Sequence, residues 1–201
     1  MRRKVFDLLA SVVGLVMVIA LGAAGGLLWW GKSFAESNVH NQLAQQEIFF
    51  PSKAALNNAK PGTEVTPEMV PYLMPYAGQQ VLTGAQAEAY ADHFIAVHLY
   101  NMPYHGVYSQ VSAAARAATP GTPKAATLNA LETTVFQGTT LRGLLLEAYA
   151  FGTFGTIAFW SAIISWILAA VMAVFVGFGF WHAAQTPAEM ELLGRKEEKA
   201  A

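Results

Sequence analysis

Residues 148–181 run for 34 positions without a charged side chain, and nothing else in the sequence limits the fold as much. A hydrocarbon core of ~30 Å is crossed by about 20 residues of helix, so this run can span a bilayer with turns to spare. Phe159 and Trp160 stand near one end and Phe180 and Trp181 at the other, where interfacial anchors belong. The span is therefore placed at about 160–181, with Trp160 and Trp181 at its interfaces. Residues 148–158 remain as an apolar extension outside the bilayer, which must pack on something. Charging Phe151 or Phe154 is expected to destabilise whatever covers it.

A second apolar run precedes it. Residues 8–30 give 23 uncharged positions that end in Trp29 and Trp30, behind a basic head, 1–7, with Arg2, Arg3 and Lys4. A secretory leader has the same basic start, but its apolar core is only about 7–15 residues long. No Ala-x-Ala site follows, so the run reads as an uncleaved signal anchor. Small residues let helix backbones approach closely in membranes. Gly22 and Gly26 form one such pair, and Ala169, Ala173 and Gly177 repeat at intervals of four in the second run. These are the expected helix-packing residues.

The bulk numbers exclude some chemistry. A net charge of −1 gives no reason to expect nucleic acid. With no cysteine in the chain, disulfides, thiolate catalysis and cysteine-held metal centres are ruled out. The composition is 54% hydrophobic and 12% charged, more apolar than an ordinary water-soluble domain.

Residues 31–147 are enough for one small domain. The polar stretch 33–46 should continue the first span as helix, and Phe49-Phe50-Pro51 should end it. Five prolines from Pro51 to Pro75 predict loop with one short helix, which begins at Thr66-Pro67-Glu68. Residues 83–101 form the clearest helix. Thr83 and Gln86 make a capping box, and Ala87, Ala91, Phe94 and His98 share a face. A further helix is expected over 107–118. After the Thr119–Pro123 turn, a helical pattern from Lys124 runs towards the second span, with Gly138 its weak point. No alternating β-branched run argues for a sheet.

The fold class expected is thus an all-α membrane protein: two transmembrane helices flank a small extracytoplasmic helical domain, and the second helix is long. Both termini should be cytoplasmic, in the cell membrane, because basic residues flank the two spans on their terminal sides. On the C-terminal side these are Arg195, Lys196 and Lys199, in a tail over 182–201.

Candidate chemistry is sparse. His93, His98 and His105 lie close together, with Glu88 and Asp92 nearby. Their gaps of five and seven do not put them on one helix face, as metal ligands at spacings of three or four would be. They are weak metal candidates, and His98 is expected to point into the domain core. Arg142 and Glu147 are the last charges before the long apolar run and are expected to fix its depth at the interface. There is no GxSxG, phosphate loop or recognisable triad, so no catalytic residue and no cofactor is assigned.

The string from Gly84 through Tyr90, Asp92 and His93 to Ile95, followed by His98-Leu99, Gly106, Tyr108-Ser109 and Arg116, resembles a family of actinobacterial two-span membrane proteins. Thr139-Thr140-Leu141-Arg142-Gly143 fits the same pattern, and the resemblance covers most of the chain. It implies two spans and an envelope location. Some members bear an aromatic-ring dioxygenase label, whose iron site would take two histidines and a carboxylate in facial geometry. The sequence offers no such set.

Three functions are open. The first is a non-catalytic accessory subunit or assembly factor of a membrane complex, with other integral membrane proteins as partners and a respiratory-chain complex as the first host to test. The second is a protein that binds a lipid or small molecule outside the membrane, lined by aromatics such as Phe94, Tyr100, Tyr104 and Tyr108. The third is a membrane metalloenzyme using the three histidines.

Overall fold

The computed structural model describes residues 2–187 and Met190. The tail charges Arg195, Lys196 and Lys199 lie outside the described residues. Among the described residues seven α-helices run in the order α1 (Arg3–Gln46), α2 (Lys53–Asn57), α3 (Val70–Leu73), α4 (Gly84–Tyr90), α5 (Ala96–Tyr100), α6 (Tyr108–Ala117) and α7 (Pro123–Gln185). Between α4 and α5 lies a single π-helical turn, Ala91–Ile95. The described residues contain no strand, only isolated bridges such as the antiparallel Phe49–Gln80.

Two of these helices are long and apolar enough to cross a membrane: α1 with 44 residues and α7 with 63. Only 11% of the most apolar window of either helix is buried, whereas the core helix of a water-soluble protein would be mostly covered. Gly138, the expected weak point, does not interrupt α7. A Cβ there would sit 2.9 Å from Leu99 Cδ2, so the glycine makes room for a packed leucine.

The chain divides into two compact units, one of residues 1–32 and 156–201 and the other of residues 33–155. In the first unit α1 and α7 meet along a narrow seam. On α7 the covered positions are Ala162, Ser165, Ala169, Met172, Val176, Gly179 and Ala183, with gaps alternating between three and four. That average of 3.5 residues is the repeat of helices packed knobs-into-holes. Opposite them stand Ser11, Gly14 and Gly25 of α1. Gly25 is the tightest point, because the Trp166 indole fills the space a Cβ would need. Gly14 faces Val176, and Gly179 faces Ser11. Ser165 Oγ donates to the Leu21 carbonyl at 2.7 Å, which satisfies a hydroxyl in an apolar setting.

This seam corrects the expected helix-packing set. A Cβ on Gly22, Gly26 or Gly177 would meet nothing within 4 Å, and Ala173 is exposed. Ala169 alone of that set is buried. The reason is angular: a helix turns about 100° per residue, so every fourth position drifts about 40° per step off the contact line. Alternating steps of three and four stay on it.

The second unit holds a true apolar core. Leu43, Leu56, Met69, Leu73, Val81 and Leu145 are essentially inaccessible. α1 ends here at Gln46, and Glu47, with a φ of 50°, turns the chain out of the helix. Phe50 N then donates to Gln79 O and Val81 N to Ile48 O, closing the proline-rich loop on itself. The capping box is present at Thr83 and Gln86. Thr66 has the extended geometry of a cap, but its hydroxyl makes no cap bond. Thr122 caps α7 through Ala125 N, with Pro123 in the first turn.

Candidate functional site

The π turn organises the most site-like part of the second unit. Its extra residue rotates everything downstream, so the buried face runs Ala87, Ala91, Ile95, Leu99. Phe94 and His98, expected on that face, are only half-buried. His98 does not enter the core. Its Nδ1 lies 2.7 Å from the Phe94 carbonyl, and its ring stands 4.5 Å from that of Phe94. A carbonyl only accepts, so Nδ1 carries the proton, and in the neutral ring Nε2 is left as a bare acceptor.

His98 lines a pocket of about 330 Å³ between the α4–π–α5 rod and α7. Tyr90 and Phe94 form its aromatic side, Leu99, Met102 and Leu141 its aliphatic side, and Gln137 brings a carboxamide. Phe94 lies 4.7 Å from Tyr90, which meets Phe50 edge-on at 5.5 Å. Burial, and then the negative charge of Glu64, raise the Tyr90 pKa above its ordinary 10.0.

The nearest charges hold each other. Arg142 Nη2 and Nε donate to Asp92 Oδ1 at 2.6 and 3.2 Å, tying the π turn to α7. Arg142, expected to fix the depth of the helix, makes its ion pair with Asp92, a residue of the same unit. Its work is inside the second unit. Glu147 instead lines a separate groove of about 560 Å³ between α1 and α7, with Phe34, Gln42 and Phe151 among its walls.

The three histidines separate. His93 stacks face to face on Tyr72, with ring centroids 3.5 Å apart and planes 2° from parallel. His105 stacks on Tyr100 and bonds that residue's carbonyl at 3.2 Å. It sits in a tight turn where Tyr104, His105 and Gly106 all have positive φ, and a Cβ on Gly106 would be 2.5 Å from Leu99 O. Each imidazole thus has its own aromatic partner. No group of three His, Asp or Glu side chains suited to a metal occurs among the described residues.

The aromatic anchors named from sequence lie in the first unit. Trp30, Trp160 and Trp181 are 63%, 59% and 61% exposed, as rings facing lipid would be. Trp29 packs inward on Phe159 and Trp166, with centroids 5.9 and 5.6 Å away. Lys32 lies over the Trp29 ring at 5.4 Å. At the other end of the pair, Asp7 Oδ2 and His182 Nδ1 are 3.0 Å apart.

The apolar extension also packs differently from the expectation. It is covered along one edge, where Gly84 and Gly152 meet: a Cβ on Gly84 would lie 3.1 Å from the Ala148 carbonyl oxygen, and one on Gly152 would lie 3.2 Å from Gly84 Cα. Tyr149, Phe151 and Phe154 are exposed, Phe154 at 65%. Glycines let the backbones touch, and the large side chains are left facing away. Neither this glycine pair nor the pocket residues Tyr90, Gln137 and Leu141 stand out in the sequence. A glycine directly after the Thr83 cap was the available signal for the first.

No protein-family model, curated protein or solved structure matches this chain.

Proposed function

We propose that this protein is a non-catalytic accessory subunit or assembly factor of a larger membrane complex, held by two spans with its termini in the cytoplasm and its helical domain outside. The observation that carries this reading is the exposed pair Phe151 and Phe154, which lie about 60° apart on one side of α7. In the first unit the end of the first apolar run, Trp29, lies beside Phe159, with Lys32 over the same rings. In sequence Phe151 and Phe154 precede the anchors Phe159 and Trp160, outside the stretch expected to span the bilayer. Large apolar side chains left in water are unfavourable at ~25 cal/mol per Å², and a protein partner removes that cost.

The test places a photo-crosslinking amino acid at Phe154 in native membranes, with Ile164 as a control inside the span. A discrete adduct with an integral membrane protein from position 154, and lipid adducts alone from 164, support the proposal. Lipid adducts from both positions sink it. Phe151→Asp should leave the domain's protease resistance unchanged, since that side chain is exposed, while the adduct is lost.

A further inference from the structure

We propose that the pocket beside the π turn is a binding site for a neutral apolar ring that bears a hydroxyl group. Its volume of about 330 Å³ lies at the lower end of ligand cavities, which run from ~300 to 1,000 Å³. The lining decides the chemistry. Tyr90 and Phe94 offer aromatic faces to a ring, and Leu99, Met102 and Leu141 offer an apolar surface. No carboxylate, lysine or arginine lines the pocket, and the nearby Arg142 and Asp92 are paired with each other. A charged ligand would lose its hydration without a counter-ion.

The polar complement points the same way. The Phe94 carbonyl takes the Nδ1 proton of His98, so the neutral ring presents only an acceptor at Nε2. An acceptor selects a donor, which a hydroxyl supplies and an ether or hydrocarbon does not. The Gln137 carboxamide can accept or donate to the same oxygen. π turns recur at functional sites because the extra residue re-aims side chains, and here it carries Phe94 and His98 off the core face to the pocket.

The test uses the full chain in lipid nanodiscs with 1-naphthol as probe and its methyl ether as the matched molecule without a donor. Fluorescence titration, corrected for partition into empty nanodiscs, should show saturable naphthol binding about tenfold tighter than that of the ether, the worth of one hydrogen bond. His98→Phe keeps a ring and removes the acceptor, so the two probes should then bind alike. Thr134→Trp, at an exposed position on the pocket wall, should abolish both while leaving His98 intact. Equal binding of the two probes to the parent, a preference that survives His98→Phe, or no naphthol binding above partition each overturns the proposal.

Discussion

The two units bury opposite things. In the first, most covered positions are small or hydroxylated, such as Ser11, Gly14, Gly25 and Ser165, with Val176 and Met172 the larger ones, while Val16, Ile19, Leu27 and Phe175 face outward. In the second, Leu56, Met69 and Leu73 are inside. The same twenty amino acids obey one rule in both places: apolar surface goes where water is absent. For a helix pair in lipid that is the outside, and close backbone contact must supply the cohesion. For the helical domain it is the inside, where removal of large side chains from water supplies it.

The sharpest way to break this comparison is to truncate one large side chain in each unit. Leu73 has no accessible surface, so Leu73→Ala should cost the second unit ~2–5 kcal/mol through lost burial and a cavity. Ile19 is 64% exposed, and Ile19→Ala should stay within about 0.5 kcal/mol in a bilayer. Proteolysis-monitored unfolding in nanodiscs reads both. Similar losses at the two sites would mean that the outward face of α1 is not in lipid.

Reversing the chemistry sharpens it further. Adding bulk should harm the first unit only on the seam. Gly25→Leu drives a side chain into Trp166, whereas Gly26→Leu enters open space. Overpacking of this kind costs ~1–3 kcal/mol, on the order of a tenfold loss or more of paired helices. The chain has no cysteine, so a Gly14→Cys, Val176→Cys pair gives a clean disulfide readout across the seam. Its yield should fall in the Gly25 variant and hold in the Gly26 variant. The opposite order would restore the glycine pair chosen from sequence.

Between the extremes lies the ion pair that ties the π turn to α7. Arg142 and Asp92 are 39% and 33% exposed, so solvent screens them and their coupling should be modest, about 0.5–1 kcal/mol in a double-mutant cycle with alanine. A coupling near zero would reassign Arg142 to anchoring, as its place in the sequence suggests. Sequence order puts it just ahead of an apolar run, while the fold puts it opposite a residue 50 positions away.

That contrast recurs wherever the sequence reading ran short. Long apolar runs, caps and turn residues act locally, so the two membrane-length helices, the Thr83 capping box and the helix over 108–117 were legible. The seam of the helix pair depends on a repeat of 3.5 that is sensitive to a single position, so Gly22 and Gly26 were chosen where Gly25 does the packing. The π turn inserts one residue into an ordinary helical pattern without any glycine or proline to announce it. Its effect, the turning of His98 from the core to a pocket wall, could not be read from spacing. Nor could the Gly84–Gly152 contact, which joins residues 68 apart.

The smallest effect expected concerns Tyr90, and it tests the domain's interior from the side of pH. Burial first, and the charge of Glu64 second, disfavour the phenolate and raise the folded-state pKa above 10.0. Below pH 10 the phenol is protonated in both the folded and unfolded chains, so it adds no pH dependence there. As pH climbs past 10 the unfolded chain gives up the proton first. The folded state then holds more protons than the unfolded one, and stability falls with rising pH. Tyr90→Phe removes the titrating group and should flatten that part of the profile, while leaving stability near pH 7 almost unchanged. Replacing Glu64 with Gln should flatten it only partly, because burial is the larger cause. An alkaline slope of equal size in Tyr90→Phe and the parent would show that this ring is as open to solvent as the outward aromatics of the helix pair are to lipid, and the contrast between the two interiors would lose one of its supports.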